Sequence, residues 1–143
     1  MAAHDQAVWD FVRTIHRRHD IHQVYTQCLL FMIDCLHEVR KALPERAVHA
    51  LDLAEHYCHG KVTAAQLDAE RKRLWAFLIE ADLAYSFESR RARLYRATLC
   101  VLYPSPSEDA DVYKVLEWFL QMYDPEGRRA AQTLALLTMR FAE

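Results

Sequence analysis

The sequence predicts an all-α fold, a single globular bundle of about six to seven antiparallel helices around a central hydrophobic helix, and three observations predict it. Only two glycines, Gly60 and Gly127, and four prolines punctuate the 143 residues, too few turn formers for a sheet of short strands. Apolar residues make up 52% of the chain and aromatics 11%, enough to build a core rather than stay disordered. Those apolar residues recur at helical spacing, and one segment is apolar on every side.

The first helix is expected from about Asp5 to Arg17, with Val8, Phe11, Val12 and Ile15 on one face. Asp20 then has the character of an N-cap, with Gln23 in the capping-box position. The second helix, about Ile21 to Leu43, carries Val24, Leu29, Phe31, Met32, Ile33, Leu36 and Val39. Its middle is apolar all round, so it is the one placed at the centre. Pro44 stops that helix and opens the next, because a proline is harmless in a first turn. Helix three, about Glu45 to His59, faces inward through Val48, Leu51, Ala54 and Cys58, and Gly60 ends it as a left-handed cap. Thr63 with Gln66 repeats the capping box. Helix four runs through Leu67, Leu74, Trp75, Phe77, Leu78, Ala81 and Tyr85.

Ser86 or Ser89 marks a break before a fifth helix with Leu94, Ala97, Val101 and Leu102. Tyr103-Pro104-Ser105-Pro106-Ser107 is a loop, since proline disfavours helix at itself and just before itself. Ser107 is expected to cap a sixth helix, Glu108 to Tyr123, and Asp124-Pro125-Glu126 to open the last, with Ala130, Leu134, Leu137 and Phe141 inward. No linker separates two domains, so residues 1–143 are read as one helical domain.

Net charge is −2, from 18 basic and 20 acidic side chains, so the chain lacks the basic surplus of most nucleic-acid binders. No basic segment followed by an apolar stretch opens it at Met1-Ala-Ala-His-Asp. The longest apolar run, Cys28 to Ile33, is far too short to cross a bilayer. A cytoplasmic protein is expected. None of the four cysteines belongs to a CxxC pair. Cys28 and Cys35 lie roughly 10 Å apart along one helix, beyond disulfide reach. Reduced cysteines acting as small hydrophobes follow.

Eight histidines require metal binding to be weighed. On helix three, His49, Asp52, His56 and His59 fall within about 80° of one face at 3.6 residues per turn, and imidazole with carboxylate at such spacing is what a helical zinc or iron site uses. The plainer reading is a solvent face opposite the inward residues, with no HExxH and no second ligand pair. His16, His19 and His22 alternate with Arg17 and Arg18, which repel a cation. Cys58 lies between His56 and His59, but such close neighbours point to different sides of a helix. No glycine-rich phosphate loop occurs. Neither a catalytic residue nor a cofactor is assigned, and a metal-dependent enzyme or sensor built on the histidine stripe is the alternative function.

Two basic stretches, Arg71-Lys72-Arg73 and Arg90, Arg91, Arg93 with Arg96, could meet phosphates or an acidic protein. A solvated face with Glu88 paired to Arg91 is the favoured explanation, and a helical nucleic-acid-binding regulator is the further alternative. Aromatic residues speak more for protein binding. Trp9, Trp75, Trp118, Tyr95, Tyr103, Tyr113 and Tyr123 exceed what one small core easily hides, and Trp118 adjoins Phe119, so both cannot point inward. Aromatics and arginines anchor protein interfaces. The candidate partner-binding residues are Trp118, Tyr113, Tyr95, Arg90, Arg91 and Arg93.

One stretch carries a family likeness. Phe31 and Cys35 are followed by Leu43-Pro44-Glu45-Arg46-Ala47-Val48, then by Ala50, Ala54-Glu55, Tyr57, Gly60 and Thr63, then by Leu67, Arg71 and Trp75. This order resembles a family of all-helical bacterial proteins, some described as immunity proteins of polymorphic toxin systems, in which the pattern A-x-x-x-A-E-x-Y/W-x-x-G-x-x-T precedes an Ala/Arg-rich helix. The likeness covers about a third of the chain, Leu29 to Trp75. Tyr103-Pro104 and the tryptophan-bearing sixth helix depart from the alanine-rich tail of that family. The resemblance implies no catalytic residues. It implies an antitoxin-like role: binding a cognate toxin domain and occluding it. From the charge balance and the short apolar runs, no membrane partner is expected and nucleic acid is disfavoured.

Overall fold

The computed structural model describes residues 3–142. Met1 and Ala2, where the reading of the chain's opening starts, lie outside the described residues, as does Glu143. The described residues form seven α-helices and no strand: α1 (Ala3–Arg18), α2 (Ile21–Glu38), α3 (Glu45–Cys58), α4 (Ala64–Glu80), α5 (Arg90–Leu99), α6 (Val112–Tyr123) and α7 (Ala130–Phe141). Short 3-10 turns occupy Arg40–Ala42 and Cys100–Leu102.

The centre is α2. Val24, Cys28, Leu29, Phe31, Met32, Ile33, Cys35 and Leu36 are buried on all its sides, and it packs against α3, α6, α7 and the Cys100–Leu102 turn. Outside it, α1 lies on α6 and α7, α4 covers α3, and α5 bridges α3 to α6. Full burial of each large apolar side chain stabilises by about 1.5–3 kcal/mol, so this one helix supplies much of the driving force. Paired charges then fix how its neighbours sit. Arg140 of α7 grips both oxygens of Asp34 at 2.6 and 3.0 Å, and Arg40 grips both oxygens of Asp52 on α3 at 2.8 and 2.9 Å.

Local chemistry explains most boundaries. Gln23 accepts from the Asp20 backbone N–H at 3.3 Å, and Thr63 and Gln66 form a reciprocal capping box. Gly60 takes φ +75° just past α3, the left-handed conformation that a side chain resists. Four expected boundaries move. The second helix ends at Glu38 rather than Leu43, because Leu43 must be extended before Pro44 (φ −74°, ψ 138°). The fourth ends at Glu80 rather than Tyr85: the Leu78 carbonyl accepts from both Leu83 and Ala84 N–H, with Asp82 at φ 60°, and the chain folds back to bury Ala84.

The sixth helix starts at Val112, four residues later than expected, because Asp111 rather than Ser107 receives the Lys114 N–H at 2.8 Å. The seventh starts at Ala130 because the Asp124 carboxylate takes the N–H groups of Arg128 and Arg129 at 3.0 and 2.9 Å. Those bonds close a turn through Gly127 at φ +69° and delay the helix. All four cysteines are free. Burial pushes the Cys28 thiol up to about 12 and Cys35 well above its ordinary range, which suits their role as core hydrophobes.

Candidate functional site

Two tyrosines set the position of a cleft. Tyr25 of α2 donates to the Tyr103 carbonyl at 2.8 Å, and Tyr57 of α3 donates to the Pro104 carbonyl at 3.5 Å. With proline at 104 and 106 the loop after the Cys100–Leu102 turn cannot be helical, and these bonds hold it away from α6. The space left is a cleft of about 430 Å³ between that loop, the end of α5 and α6. Helical spacing fills its walls: Arg96 and Leu99 face it from α5 and Cys100 from the turn that follows, while Lys114, Val115 and Trp118 face it from α6. The opposite face of α6, with Leu116, Phe119 and Tyr123, is core.

Arg96 joins this cleft to a neighbouring aromatic face. Its guanidinium carbon lies 5.0 Å from the ring centre of Trp75, 5.4 Å from Phe87 and 5.5 Å from Trp118, and it donates to the Ala84 carbonyl. One cation therefore gathers three rings from α4, the 81–89 loop and α6. Tyr85 stands edge-on to Trp75 at 5.8 Å and is 75% exposed. Trp118, Phe87 and Tyr103 each leave close to half of their surface in solvent. On the cleft's far side Arg71, itself paired with Asp68, lies over the Tyr103 ring at 4.9 Å.

The electrostatics are lopsided. The arginines of α5, at 90, 91, 93 and 96, form no ion pair with a carboxylate among the described residues. The expected pair of Glu88 with Arg91 is not made. Arg93 instead donates to the Phe87 and Glu88 carbonyls, both at 3.0 Å, and Arg91 lies 5.6 Å over the Tyr95 ring. Burial pushes the thiol of Cys100, in the cleft wall, up to about 12, which disfavours its thiolate form.

The sequence-derived interface residues scatter across this picture. Trp118 lies in the cleft wall, while its neighbour Phe119 is fully buried. Arg90 and Arg91 are exposed and Arg93 half-buried on the adjoining helix. Tyr95 is a correction: it is 2% exposed, packed 5.6 Å from Phe77, because its position shares the inward face of α5. Tyr113 lies elsewhere, half-buried against Trp9, Arg13 and His16. Tyr123 is buried too, stacked on Phe119 at 5.3 Å. Sequence reasoning missed Tyr85 and Phe87 by extending α4 too far. Their signal was the run Ser86-Phe87-Glu88-Ser89, where an aromatic ring among helix breakers has no core to enter.

The histidine stripe does not assemble. His49, His56 and His59 are exposed, and both oxygens of Asp52 are taken by Arg40, whose guanidinium holds that carboxyl below the usual carboxylate range. Among the described residues no three His, Cys, Asp or Glu side chains converge as a metal-binding set. His37 contacts Glu55 at 2.7 Å and Arg40 at 3.5 Å, an arrangement that ties α2 to α3. Among the described residues, no helix is long and apolar enough to cross a membrane. No protein-family model matches this chain, and no curated protein or solved structure matches it either.

Proposed function

We propose that this chain is a cytoplasmic, non-catalytic binding protein of the immunity type, which neutralises a toxin domain by covering its active or binding surface. The observation that carries the proposal is the exposed aromatic face gathered round Arg96. Tyr85, Phe87 and Trp118 are exposed and half-buried Trp75 joins them into one set of rings. A folded chain gains nothing in water by leaving such rings uncovered, whereas rings and arginines held in place are what the centre of a protein interface needs. The likeness of Leu29–Trp75 to immunity proteins points the same way.

The role is steric. Occlusion asks only for a rigid, complementary surface, and the rings are held by a guanidinium that is itself fixed to the Ala84 carbonyl. The test is co-expression with the product of the neighbouring gene. The reading expects a copurifying complex and protection of cells from that product, both lost in the double variant Phe87→Ala, Trp118→Ala with the fold intact. A neighbouring product that is harmless, or that forms no complex at micromolar concentration, refutes it. Nucleic-acid binding is the second reading, drawn from the unpaired arginines of α5. It expects affinity for an oligonucleotide that falls steeply with salt.

A further inference from the structure

We infer that the cleft between α5, α6 and the 103–111 loop is the anchor pocket of the interface, and that it takes one aromatic or large aliphatic side chain from an acidic segment of the partner protein. This rests on the protein-binding reading above and goes further by naming what is bound and where.

Size comes first. At about 430 Å³ the cleft exceeds any packing defect and lies in the range of pockets that hold small ligands or anchoring side chains. Its lining then selects the occupant. Leu99, Val115, Tyr103 and Trp118 offer an apolar and aromatic interior, where a buried ring gains far more than a polar group. Charge comes from the rim: Arg96 and Lys114 open onto the cleft, and Arg93 lies one turn from Arg96. Lys114 Nζ bonds only a backbone carbonyl, that of Asp109 at 3.3 Å, and among the described residues Arg93 and Arg96 have no carboxylate partner. Asp109 is the single acid on the lining. Carboxylates flanking the inserted ring therefore meet cations whose charge is not yet neutralised.

Continuity decides between a metabolite and a protein segment. Trp118 and Arg96 belong both to the cleft and to the exposed aromatic face. A free small molecule would fill the cleft and leave Tyr85 and Phe87 in water. A segment of a larger partner fills it and covers them together.

The probe is a fluorescein-labelled pentapeptide, Asp-Glu-Phe-Asp-Glu, titrated against the full chain by fluorescence polarisation. Replacing its Phe by Ala is expected to weaken binding by about tenfold or more, the value of a buried ring. Lys114→Glu is expected to weaken the acidic peptide about threefold to tenfold. Filling the cleft with Ala110→Phe should abolish binding. Ser107→Trp, at an exposed position on the lip, is the second blocking variant should Ala110→Phe unfold. Equal binding of the Phe and Ala peptides, tighter binding of Lys-Arg-Phe-Lys-Arg, no binding at all, or indifference to both blocking variants overturns the inference. Cellular protection separates the two readings. A chain that still protects cells with its cleft filled refutes the anchor pocket and leaves the immunity function standing. A chain that binds the peptide in its cleft but protects nothing keeps the pocket and loses the function.

Discussion

Removing the Arg96 side chain is the sharpest test of how the candidate face is built. Its guanidinium is stacked among three rings at 5.0, 5.4 and 5.5 Å and donates to the Ala84 carbonyl. At partly exposed sites each ring contact is worth about 0.5–1 kcal/mol, and a hydrogen bond from a charged donor about 1.5–3 kcal/mol. Added naively these give roughly 3–6 kcal/mol, but contacts of one group are not independent and the site is half-solvated, so Arg96→Ala should cost about 2–3 kcal/mol. Arg96→Lys keeps the charge without the planar fork and should recover less than half. Urea unfolding followed by circular dichroism measures the total. Hydrogen exchange over residues 81–89 shows where it acts, because the Ala84 carbonyl is one of the points at which the loop is tied down. Loss of less than about 0.5 kcal/mol, with unchanged exchange in that loop, would mean that Arg96 organises nothing.

Three further outcomes follow from the same geometry. Phe119, fully buried and packed on Phe31 at 6.3 Å and Tyr123 at 5.3 Å, should cost about 3–5 kcal/mol when cut to Ala; Trp118→Ala next door should cost less than about 1 kcal/mol while removing partner binding, both read by urea unfolding and pull-down. Gly60→Ala meets open space and should cost only the left-handed backbone penalty of about 1–2 kcal/mol. Gly127→Ala carries the same penalty plus a Cβ 2.7 Å from Asp5 Cγ, and adding Asp5→Ala should relieve most of that excess in thermal melts, short of the Gly60 value because the Asp5 Cβ stays 3.1 Å away. Asp52 is held below its ordinary range by two bonds from Arg40. A depressed carboxyl stabilises above its unfolded value of about 3.9 and loses that stabilisation as pH falls through the folded one. Asp52→Asn should therefore flatten the acid limb of Tm against pH, and an unchanged limb would dismiss the pair.

The helices were legible wherever one residue type decides a boundary by itself. Gly60 and the Thr63–Gln66 box each impose one backbone geometry and lie where their chemistry places them, and Pro44 opens α3 as expected although α2 ends well before it, at Glu38. Boundaries failed where two candidates competed for one task. Ser107 and Asp111 can both cap α6, and the two prolines at 104 and 106 cannot say how much further the loop extends. Asp124 reads as an N-cap in sequence, yet spends its carboxylate closing a turn that Gly127 makes possible. The inward face of α5 was misjudged for a related reason. With four arginines in ten residues its apolar stripe is thin, so Tyr95 looked available for the surface when the core needed it.

The candidate site was legible only in its composition, because its geometry depends on a contact between distant segments. Sequence can show that Trp118 and Phe119 diverge, and that arginines cluster at 90, 91, 93 and 96. It cannot show that the 81–89 loop folds back through Leu78 to set Phe87 beside Arg96, nor that Tyr25 and Tyr57 reach across to hold the 103–104 backbone open. These are bonds between residues 47 and 78 positions apart in the two tyrosine cases, with no local periodicity to announce them. The order of causes matters for function. The apolar middle of α2 fixes the bundle, the bundle fixes where the two tyrosine hydroxyls point, and those hydroxyls keep apart the loop and α6 that define the cleft. A variant that removes both hydroxyls, Tyr25→Phe with Tyr57→Phe, should thus leave the helices folded while letting the loop sag into the cleft. Binding of the acidic peptide should fall while the helical spectrum stays constant, a separation that a merely decorative surface pocket would not produce.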